Sequence, residues 1–330
     1  IYILNEGNAY SNINGSLSYY DYTKGTVANE IYKSVNGTVL GGTPNDAIVY
    51  GSKLYITSND EKTVFVADAA TVVEKKKITT TDASGVPVMP REFLAANGKV
   101  YVSTYGSCVL AIDTTTLAII DRYDCGTNAE GMAISADGNT LYVANSDGYT
   151  YNGSISAINL ASGQTTTISG TGITNPVSIF IVGSDIYTLD AGSYDASWNS
   201  VGAGIYKLNS SNTAATKVVA ATMAKYDAGK FYFINAPYTT PATTPTYCIY
   251  DIASGTQTPF VSGDDILAPA AIAVDPIKGN VVITSYNMSY GYADYSSDGY
   301  AVIYDAAGQK LNKVDVGVGP TTIVFNTVTK

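Results

Sequence analysis

Polar and charged side chains recur at the ends of apolar segments, at intervals of about 45 residues, and are the first candidates for chemistry in this sequence. Carboxylate and amide oxygens that converge on one axis could hold Ca²⁺, which takes about six to eight oxygen ligands. A solvated polar lining is the alternative, and the sequence favours it, because no spacing among these residues specifies a metal. We therefore predict neither a metal site nor catalytic residues. The residues concerned are Asn5, Asp46, Asn59, Arg91, Glu92, Thr104, Glu130, Asn145, Asp190, Tyr226, Asn235 and Ser285.

The sequence contains no histidine, which removes several classes of mechanism. Triads of the Ser-His-Asp or Cys-His type and imidazole metal ligands are excluded. The formal net charge of −10 argues against nucleic-acid binding, because phosphate neutralisation needs clustered lysine and arginine. No apolar run reaches the roughly 18 residues of a membrane span. Of the three cysteines, Cys108 and Cys125 flank a predicted hairpin, so they could form a disulfide or be two buried thiols.

Tyrosine dominates the aromatic residues, with 28 tyrosines beside 7 phenylalanines and a single tryptophan. Many of them lie in long loops, where tyrosine and tryptophan offer wide amphipathic contact area at low entropic cost. The alternative is that these side chains only pack their own loops. We predict that the loop aromatics bind a ligand together with three nearby polar residues. The predicted set is Tyr10, Arg91, Tyr105, Glu130, Asn145, Tyr149, Tyr151, Tyr194, Trp198, Tyr238, Tyr286, Tyr290 and Tyr292.

A repeat of about 40–50 residues must position these side chains. In each unit an apolar strand, a tight turn and a second apolar strand, usually with a central tyrosine, are followed by a variable loop, a third strand that ends in Asp or Asn, and a fourth strand. The second strands carry Tyr55, Tyr101, Tyr142, Tyr187 and Tyr232, which we assign to the framework. The third strands end at Asp21, Asp68, Asp113, Asn159, Asn209, Asp251 and Asp305. Seven such endings predict seven four-stranded units.

The two ends of the chain complement each other. Residues 1–37 contain three strands but lack an innermost strand, and residues 320–325 match the innermost strand at 44–49. We therefore predict an all-β, seven-bladed β-propeller in a single domain, residues 1–330, whose C-terminal strand completes the N-terminal blade. A two-sheet sandwich array and a solenoid are the alternatives. In a blade, the loop after the second strand and the entry to the first strand share one face, so the predicted ligand-binding residues would gather there.

Four segments carry a resemblance to a known family: Ile1–Asn8, Ser16–Asp21, Leu141–Asn145 and Asn175–Pro176. They resemble the YncE-like, surface-layer-type propeller lipoproteins of Gram-negative gut anaerobes, and the resemblance covers essentially the whole chain. Members called BtuG proteins capture cobalamin at the cell surface over a TonB-dependent outer-membrane transporter. The resemblance thus implies cobalamin or a related corrinoid as ligand, such a transporter as partner, and a lipid-anchored position at the outer membrane.

The leading hypothesis is a non-enzymatic, cell-surface binding protein for a large organic ligand, with no required cofactor. Because the sequence begins inside a strand-like segment, we interpret it as a mature chain from which a leader has been removed, and its composition is typical of exported bacterial proteins. Two alternatives remain open. One is a propeller that serves as a protein-interaction or envelope scaffold. The other is a Ca²⁺-dependent, lactonase-like hydrolase that uses carboxylates such as Glu6, Glu92, Glu130 and Asp190.

Overall fold

Antiparallel strands make up most of the chain in the computed structural model, which describes residues 1–327. The first strands are β1 (Tyr2–Asn5), β2 (Ser16–Asp21), β3 (Thr26–Ala28), β4 (Pro44–Tyr50), β5 (Lys53–Ser58), β6 (Thr63–Asp68), β7 (Glu74–Thr79), β8 (Pro90–Ala96), β9 (Lys99–Thr104), β10 (Cys108–Asp113) and β11 (Ile119–Asp124). Next come β12 (Ala129–Ile134), β13 (Thr140–Asn145), β14 (Ser154–Asn159), β15 (Thr165–Ile168), β16 (Pro176–Val182), β17 (Asp185–Asp190), β18 (Ser193–Tyr194), β19 (Ser200–Val201), β20 (Gly204–Leu208) and β21 (Ala215–Val219). The last are β22 (Met223–Asp227), β23 (Lys230–Asn235), β24 (Thr246–Asp251), β25 (Thr256–Val261), β26 (Ala268–Val274), β27 (Val281–Ser289), β28 (Tyr292–Asp294), β29 (Asp298–Tyr304), β30 (Lys310–Val318) and β31 (Pro320–Val324).

Within residues 1–327 these strands form seven sheets that each have a path of four strands, and one separate two-stranded sheet, β18–β19. The first sheet has the order β3-β2-β1-β31, so the last strand of the chain pairs with the first, with Tyr2 opposite Val324. The other sheets each take four strands that follow one another along the chain, apart from the short β18–β19 pair and β28. This is the predicted seven-bladed β-propeller, including its closure by the C-terminal strand.

The chain divides into two compact units. Unit 1 comprises residues 1–79, 230–232 and 247 onward, and unit 2 comprises residues 80–229 and 233–246. In unit 1, Leu4, Leu17, Leu54 and Phe65 belong to one buried apolar cluster. In unit 2, Tyr101 and Val109 of one sheet pack with Leu141 and Val143 of the next. Face-to-face packing of neighbouring sheets thus supplies the core of each unit.

Two local devices explain why the repeat folds as it does. The first is the acidic or amide residue at the end of each third strand, which caps the turn into the fourth strand. Asp113 Oδ1 accepts hydrogen bonds from the backbone amides of Thr115 and Thr116 at 3.0 and 2.6 Å. Such side-chain-to-backbone bonds stabilise tight turns. The same capping occurs at Asp21, Asp68, Asn159, Asn209, Asp251 and Asp305.

The second device is a bulge at the entrance to the innermost strands. In β8 the register with β9 shifts between Pro90 and Phe93, and in β12 the register with β13 shifts between Ala129 and Met132. Proline suits the first residue of an edge strand because that position needs no ladder amide. A bulge re-aims the side chains it contains. The predicted polar residues Arg91 and Glu130 lie within these two bulges.

Other features were not predicted from the sequence. A short helix, α1 (Ile31–Asn36), follows β3, and single 3₁₀ turns lie at Ala9–Ser11 and Gly148–Thr150. Two of the long loops contain β-hairpins of their own, β18–β19 and the extension of β27 that pairs with β28. Among residues 1–327, no helix is long and apolar enough to cross a membrane.

Candidate ligand-binding site

Three of the predicted binding residues form a buried polar cluster in unit 2. Arg91 donates from Nε to Glu130 Oε2 at 3.0 Å and from Nη2 to Glu130 Oε1 at 3.3 Å. Tyr105 donates its hydroxyl to Glu130 Oε1 at 2.5 Å, and the Arg91 guanidinium lies 4.6 Å from the centre of the Tyr105 ring. Glu130 is only 6% exposed. The bulges of β8 and β12 therefore bring residues 39 positions apart into one ion pair.

The surroundings of Arg91 and Tyr105 shift the pKa values of both side chains upward. Burial lowers the pKa of the Arg91 guanidinium, but the Glu130 carboxylate, with Tyr105 and Glu92, outweighs burial and raises it above its usual value. Burial and then the Glu130 carboxylate raise the pKa of the Tyr105 phenol well above its ordinary range. Arg91 is therefore charged and Tyr105 is a neutral donor near neutral pH. The three side chains are already hydrogen-bonded to one another.

Asn145 is held by its own sheet. Its Nδ2 donates to the hydroxyls of Ser154 and Ser156 at 3.1 and 3.0 Å, and its Oδ1 accepts from the amide of Gly126 at 3.1 Å. Gly126 is required here, because a Cβ at that position would lie 2.6 Å from Asn145 Cγ. These contacts give Asn145 a structural role, and its proposed contact with ligand stays a prediction.

The carboxylate of Asp190 is similarly engaged. It is 1% exposed and accepts from the amides of Thr174, Asn175 and Gly192 at 2.6, 3.0 and 2.7 Å, and also from the Thr174 hydroxyl. A carboxylate that holds four donors orders the surrounding loop. Within residues 1–327, no group of three or more Cys, Asp or Glu residues is placed to hold a metal ion.

Aromatic side chains of the loop between β17 and β20 are exposed on unit 2. Tyr194 ends β18 and Trp198 lies in the turn between β18 and β19, with ring centres 6.2 Å apart and planes tilted by 48°. Trp198 is 70% exposed, and Tyr194 and Tyr238 are each at least half exposed. We call Tyr194, Trp198 and Tyr238 the Trp198 platform.

Backbone hydrogen bonds hold the platform in shape. The Ser200 amide donates to the Tyr238 carbonyl at 2.7 Å, and the Tyr238 amide donates to Ser200 Oγ at 3.0 Å. Ser200 also lies opposite Tyr194 in the β18–β19 pair, and the Thr240 amide donates to Asn199 Oδ1 at 2.7 Å. Two loops that are 38 residues apart in sequence are thereby joined into one preorganised surface.

Trp198 adopts an unfavourable backbone conformation. Its φ of 64° lies in the left-handed region, which bulky side chains rarely occupy. The turn that forces this conformation is capped by Asp195 Oδ1, which accepts from the amides of Ser197 and Asn199. The left-handed backbone of Trp198 and the exposure of its indole are both unfavourable for folding. Residues with strained backbone conformations cluster at functional sites. The backbone conformation of Trp198 was not predicted from the sequence, because the geometry of the platform depends on the contact between Ser200 and Tyr238.

In unit 1 the predicted aromatic residues gather around a second pair of loops. Tyr10 and Tyr290 are fully exposed and Tyr292 is largely exposed, whereas Tyr286 is half-buried and packs edge-on against Tyr295 with ring centres 4.8 Å apart. Burial, followed by the Glu6 charge, raises the pKa of the Tyr286 phenol well above its ordinary range.

The remaining predicted residues lie in the loop between β13 and β14. Tyr151 is half-buried, with a left-handed backbone at φ 57°. Tyr149 belongs to the 3₁₀ turn Gly148–Thr150, and its side chain lies outside the described part of the structure. The structure thus places Arg91, Tyr105 and Glu130 together and joins Tyr194, Trp198 and Tyr238. Whether any of these residues contacts a ligand stays a prediction.

The three cysteines are all free in the structure. Cys108 pairs with Asp124 across β10 and β11, and the Cys125 amide donates to the Ser107 carbonyl. Cys125 therefore lies one position beyond the residue opposite Cys108. A shift of one position places two side chains on opposite faces of a sheet. Burial, with a smaller contribution from Cys108, raises the pKa of the Cys125 thiol to about 12.

The seven four-stranded sheets define a β-propeller protein, and comparison with solved structures agrees with this fold. The chain is similar to Kuenenia stuttgartiensis hydrazine synthase, with 16% identity and a TM-score of 0.65, over 85% of this chain and 89% of the other. It is similar to the dihydro-heme d1 dehydrogenase NirN in complex with DHE, with 14% identity and a TM-score of 0.58, over 94% of this chain and 64% of the other. It is also similar to the computationally designed Ika8 protein, with 13% identity and a TM-score of 0.56, over 86% of this chain and 91% of the other. At these identities the likeness concerns the fold alone.

The family of the chain is established by its sequence. Residues 1–326 match the family described as Domain of unknown function (DUF5074), and the chain belongs to that family. A comparison with curated proteins gave no match.

Proposed function

We propose that this protein is a non-enzymatic binding protein that holds a large, flat, amide-rich organic molecule on the Trp198 platform. The observation that carries the proposal is the state of Trp198, which is exposed, held at φ 64°, and fixed by a turn that is hydrogen-bonded to a second loop. An indole held exposed in this way can serve as a stacking surface for a flat ligand. Binding then needs little reordering of the protein, which favours affinity.

The composition of the platform defines the chemistry of the ligand. Residues 191–203 and 235–246, which form it, contain one carboxylate, Asp195, and no lysine or arginine. Aromatic faces and neutral amide and hydroxyl groups are suited to stacking and to hydrogen bonding with uncharged polar groups. A corrinoid has one broad flat face and many peripheral amides. Cobalamin is accordingly our best candidate, and the family resemblance of Ile1–Asn8 and Leu141–Asn145 supports the same choice.

The state of the carboxylates supports binding over hydrolysis. Glu130 is paired with Arg91 and Tyr105, and Asp190 accepts four hydrogen bonds. A general base must be able to receive a proton from water or substrate. With these two carboxylates engaged and no histidine in the chain, a lactonase-like role is the less favoured alternative.

The cellular part of the proposal rests on the resemblance. We propose an exported protein, lipid-anchored at the outer membrane, that passes its ligand to a TonB-dependent transporter. Surface labelling of intact cells tests this location. Labelling that requires cell lysis would contradict it.

The platform contains the only tryptophan of the chain, which gives a direct test. Cyanocobalamin is titrated into the protein while Trp198 fluorescence is excited beyond the absorption of tyrosine, and calorimetry is run in parallel. We expect quenching and a saturable heat at micromolar ligand. Tyr194→Ala should weaken binding by roughly tenfold, as is usual for an aromatic hot spot, whereas Ile120→Ala, an exposed apolar residue of β11 in the same unit, should not. Absence of both signals would contradict the choice of corrinoid.

A further inference from the structure

Unit 1 carries an aromatic surface whose shape differs from that of a ligand site. Strand β27 pairs with β29 as far as Ser285 and with β26 as far as Tyr286. From Asn287 to Ser289 it pairs only with β28, so the hairpin of residues 287–294 extends past the other strands of its sheet. We call this segment the Tyr290 hairpin.

The tip of the Tyr290 hairpin presents apolar side chains to solvent. Tyr290 is 100% exposed at the turn, Tyr292 is largely exposed, and Met288 is also on the surface. Tyr290 has φ 51° and is followed by Gly291 at φ 85°, a turn in which Asn or Gly is the usual choice for the first of these positions. A bulky tyrosine is thus held at the exposed tip of the hairpin, in a backbone conformation that is unfavourable for it.

The base of the hairpin is braced. Asn287 Nδ2 donates to the Asp298 carbonyl at 2.8 Å. The loop that carries Tyr10 is attached to the same base, because Asn8 Nδ2 donates to the Tyr295 carbonyl at 2.8 Å. The Ser11 and Ser296 hydroxyls, 3.0 Å apart, add a second link. Tyr10 and the Tyr290 hairpin therefore form one preorganised projection.

A projection of this kind fits a macromolecular partner. A hairpin that extends past the other strands of its sheet can enter a pocket on a larger partner. Tyrosine and methionine are enriched in protein interfaces, where a few aromatic anchors that fill pockets provide most of the binding energy. The Tyr290 hairpin has the form of such an anchor.

The charges along the projection decide between a protein and a membrane. Residues 1–23 and 281–309 contain no lysine or arginine, whereas Glu6, Asp294 and Asp298 belong to these two segments. Segments that bind membrane surfaces combine aromatic residues with lysine and arginine, which anionic headgroups attract. An acidic projection is instead complementary to a basic rim. We infer that the Tyr290 hairpin, with Tyr10, docks into an apolar pocket that is rimmed by lysine or arginine on a partner protein.

Site-specific crosslinking in the cells that make the protein tests this inference. With Tyr290 replaced by p-benzoyl-phenylalanine, we expect a single crosslinked protein, whereas the same replacement at Ile277, an exposed residue of another turn in unit 1, should not capture it. The captured protein is then purified and its affinity for the intact chain is measured. Tyr290→Ala combined with Tyr292→Ala should weaken that affinity at least about tenfold, and higher salt should weaken it further.

The failure of this inference can be recognised separately from that of the proposed function. Absence of a crosslink, a crosslink to a second copy of the chain, or an unchanged affinity of the double variant would each overturn it. So would binding to vesicles of phosphatidylcholine and phosphatidylglycerol that is lost in the double variant. Trp198→Ala should weaken the cyanocobalamin titration and leave partner affinity unchanged, which separates the two readouts. Because both tyrosines are exposed, circular dichroism should give the same melting temperature for the double variant and the wild type.

Discussion

Arg91 and Glu130 form a two-point ion pair at 3.0 and 3.3 Å, and each residue lies in the bulge at the entrance of an innermost strand. The pair connects β8 to β12, which belong to neighbouring sheets of unit 2. Its geometry explains why two residues with the chemistry of a binding site are fully engaged with each other. The pair also makes the entrance of these strands sensitive to mutation.

Glu130→Gln should destabilise the protein by about 3 kcal/mol, because it leaves the Arg91 charge buried beside a neutral amide. Urea unfolding followed by circular dichroism measures this change. Glu30→Gln is the matched control, since the Glu30–Lys33 pair is exposed and surface pairs contribute about 0.5 kcal/mol or less. Equal effects of the two substitutions would contradict a structural role for the buried pair.

Asn145→Ala should cost about 2 kcal/mol in the free energy of unfolding, because the Gly126 amide and the Ser154 and Ser156 hydroxyls lose their partner. Asn152→Ala, at an exposed residue in the loop that follows β13, serves as the control. If Asn145→Ala proved as stable as the control and instead abolished ligand binding, Asn145 would be a ligand contact and not a framework residue.

Trp198→Gly should be more stable than Trp198→Ala by about 1 kcal/mol, since glycine adopts a φ of 64° without the clash that a Cβ produces. Neither variant should bind cyanocobalamin tightly. The two measurements are thermal unfolding and calorimetric titration. A glycine variant that is the less stable of the two would mean that the left-handed conformation at Trp198 is not maintained in solution.

Asp68→Asn should reduce the loss of stability in acid. The backbone amide of Ala70, with Lys75 and Thr71, lowers the pKa of Asp68 to about 2. A lowered pKa stabilises the folded state above the ordinary value of about 4, and this contribution is lost as the pH falls toward 2. Asparagine keeps the turn cap, as Asn159 does in its own sheet, but does not titrate. Denaturation midpoints at pH 2, 3 and 4.5 should therefore vary less in Asp68→Asn than in the wild type, and Asn159→Asp should vary more.

The thiols of Cys108 and Cys125 should react slowly with a disulfide reagent at pH 8, because burial raises both pKa values, that of Cys125 to about 12. Three thiols should react at once in urea. Rapid reaction of two thiols in the folded protein would contradict the buried arrangement. A count of one thiol in urea without reductant would reveal a disulfide that forms outside this structure.

The sequence alone was sufficient to predict the blades, since the signals that specify them are local. A residue such as Asp113 caps the turn that immediately follows it, and the side chains around Tyr101 alternate between the two faces of their strand. The match between residues 320–325 and 44–49 also predicted the pairing of β31 with β1, because one repeated strand was missing from the first unit. Helix α1 and the Tyr290 hairpin were missed, as they lie in segments that the repeat does not share.

What each candidate residue does depends on contacts between segments far apart in the sequence. Glu130 was recognisable as a charged residue at a strand entrance, but only the fold places Arg91 and Tyr105 against it and fills its hydrogen-bonding capacity. Likewise the loop tyrosines were identified together, and the tertiary structure separates the half-buried Tyr286 from the exposed Tyr290. Turn and strand preferences act over a few residues and can be seen in the sequence. Burial and hydrogen-bond partners are set by packing, which only the folded chain determines.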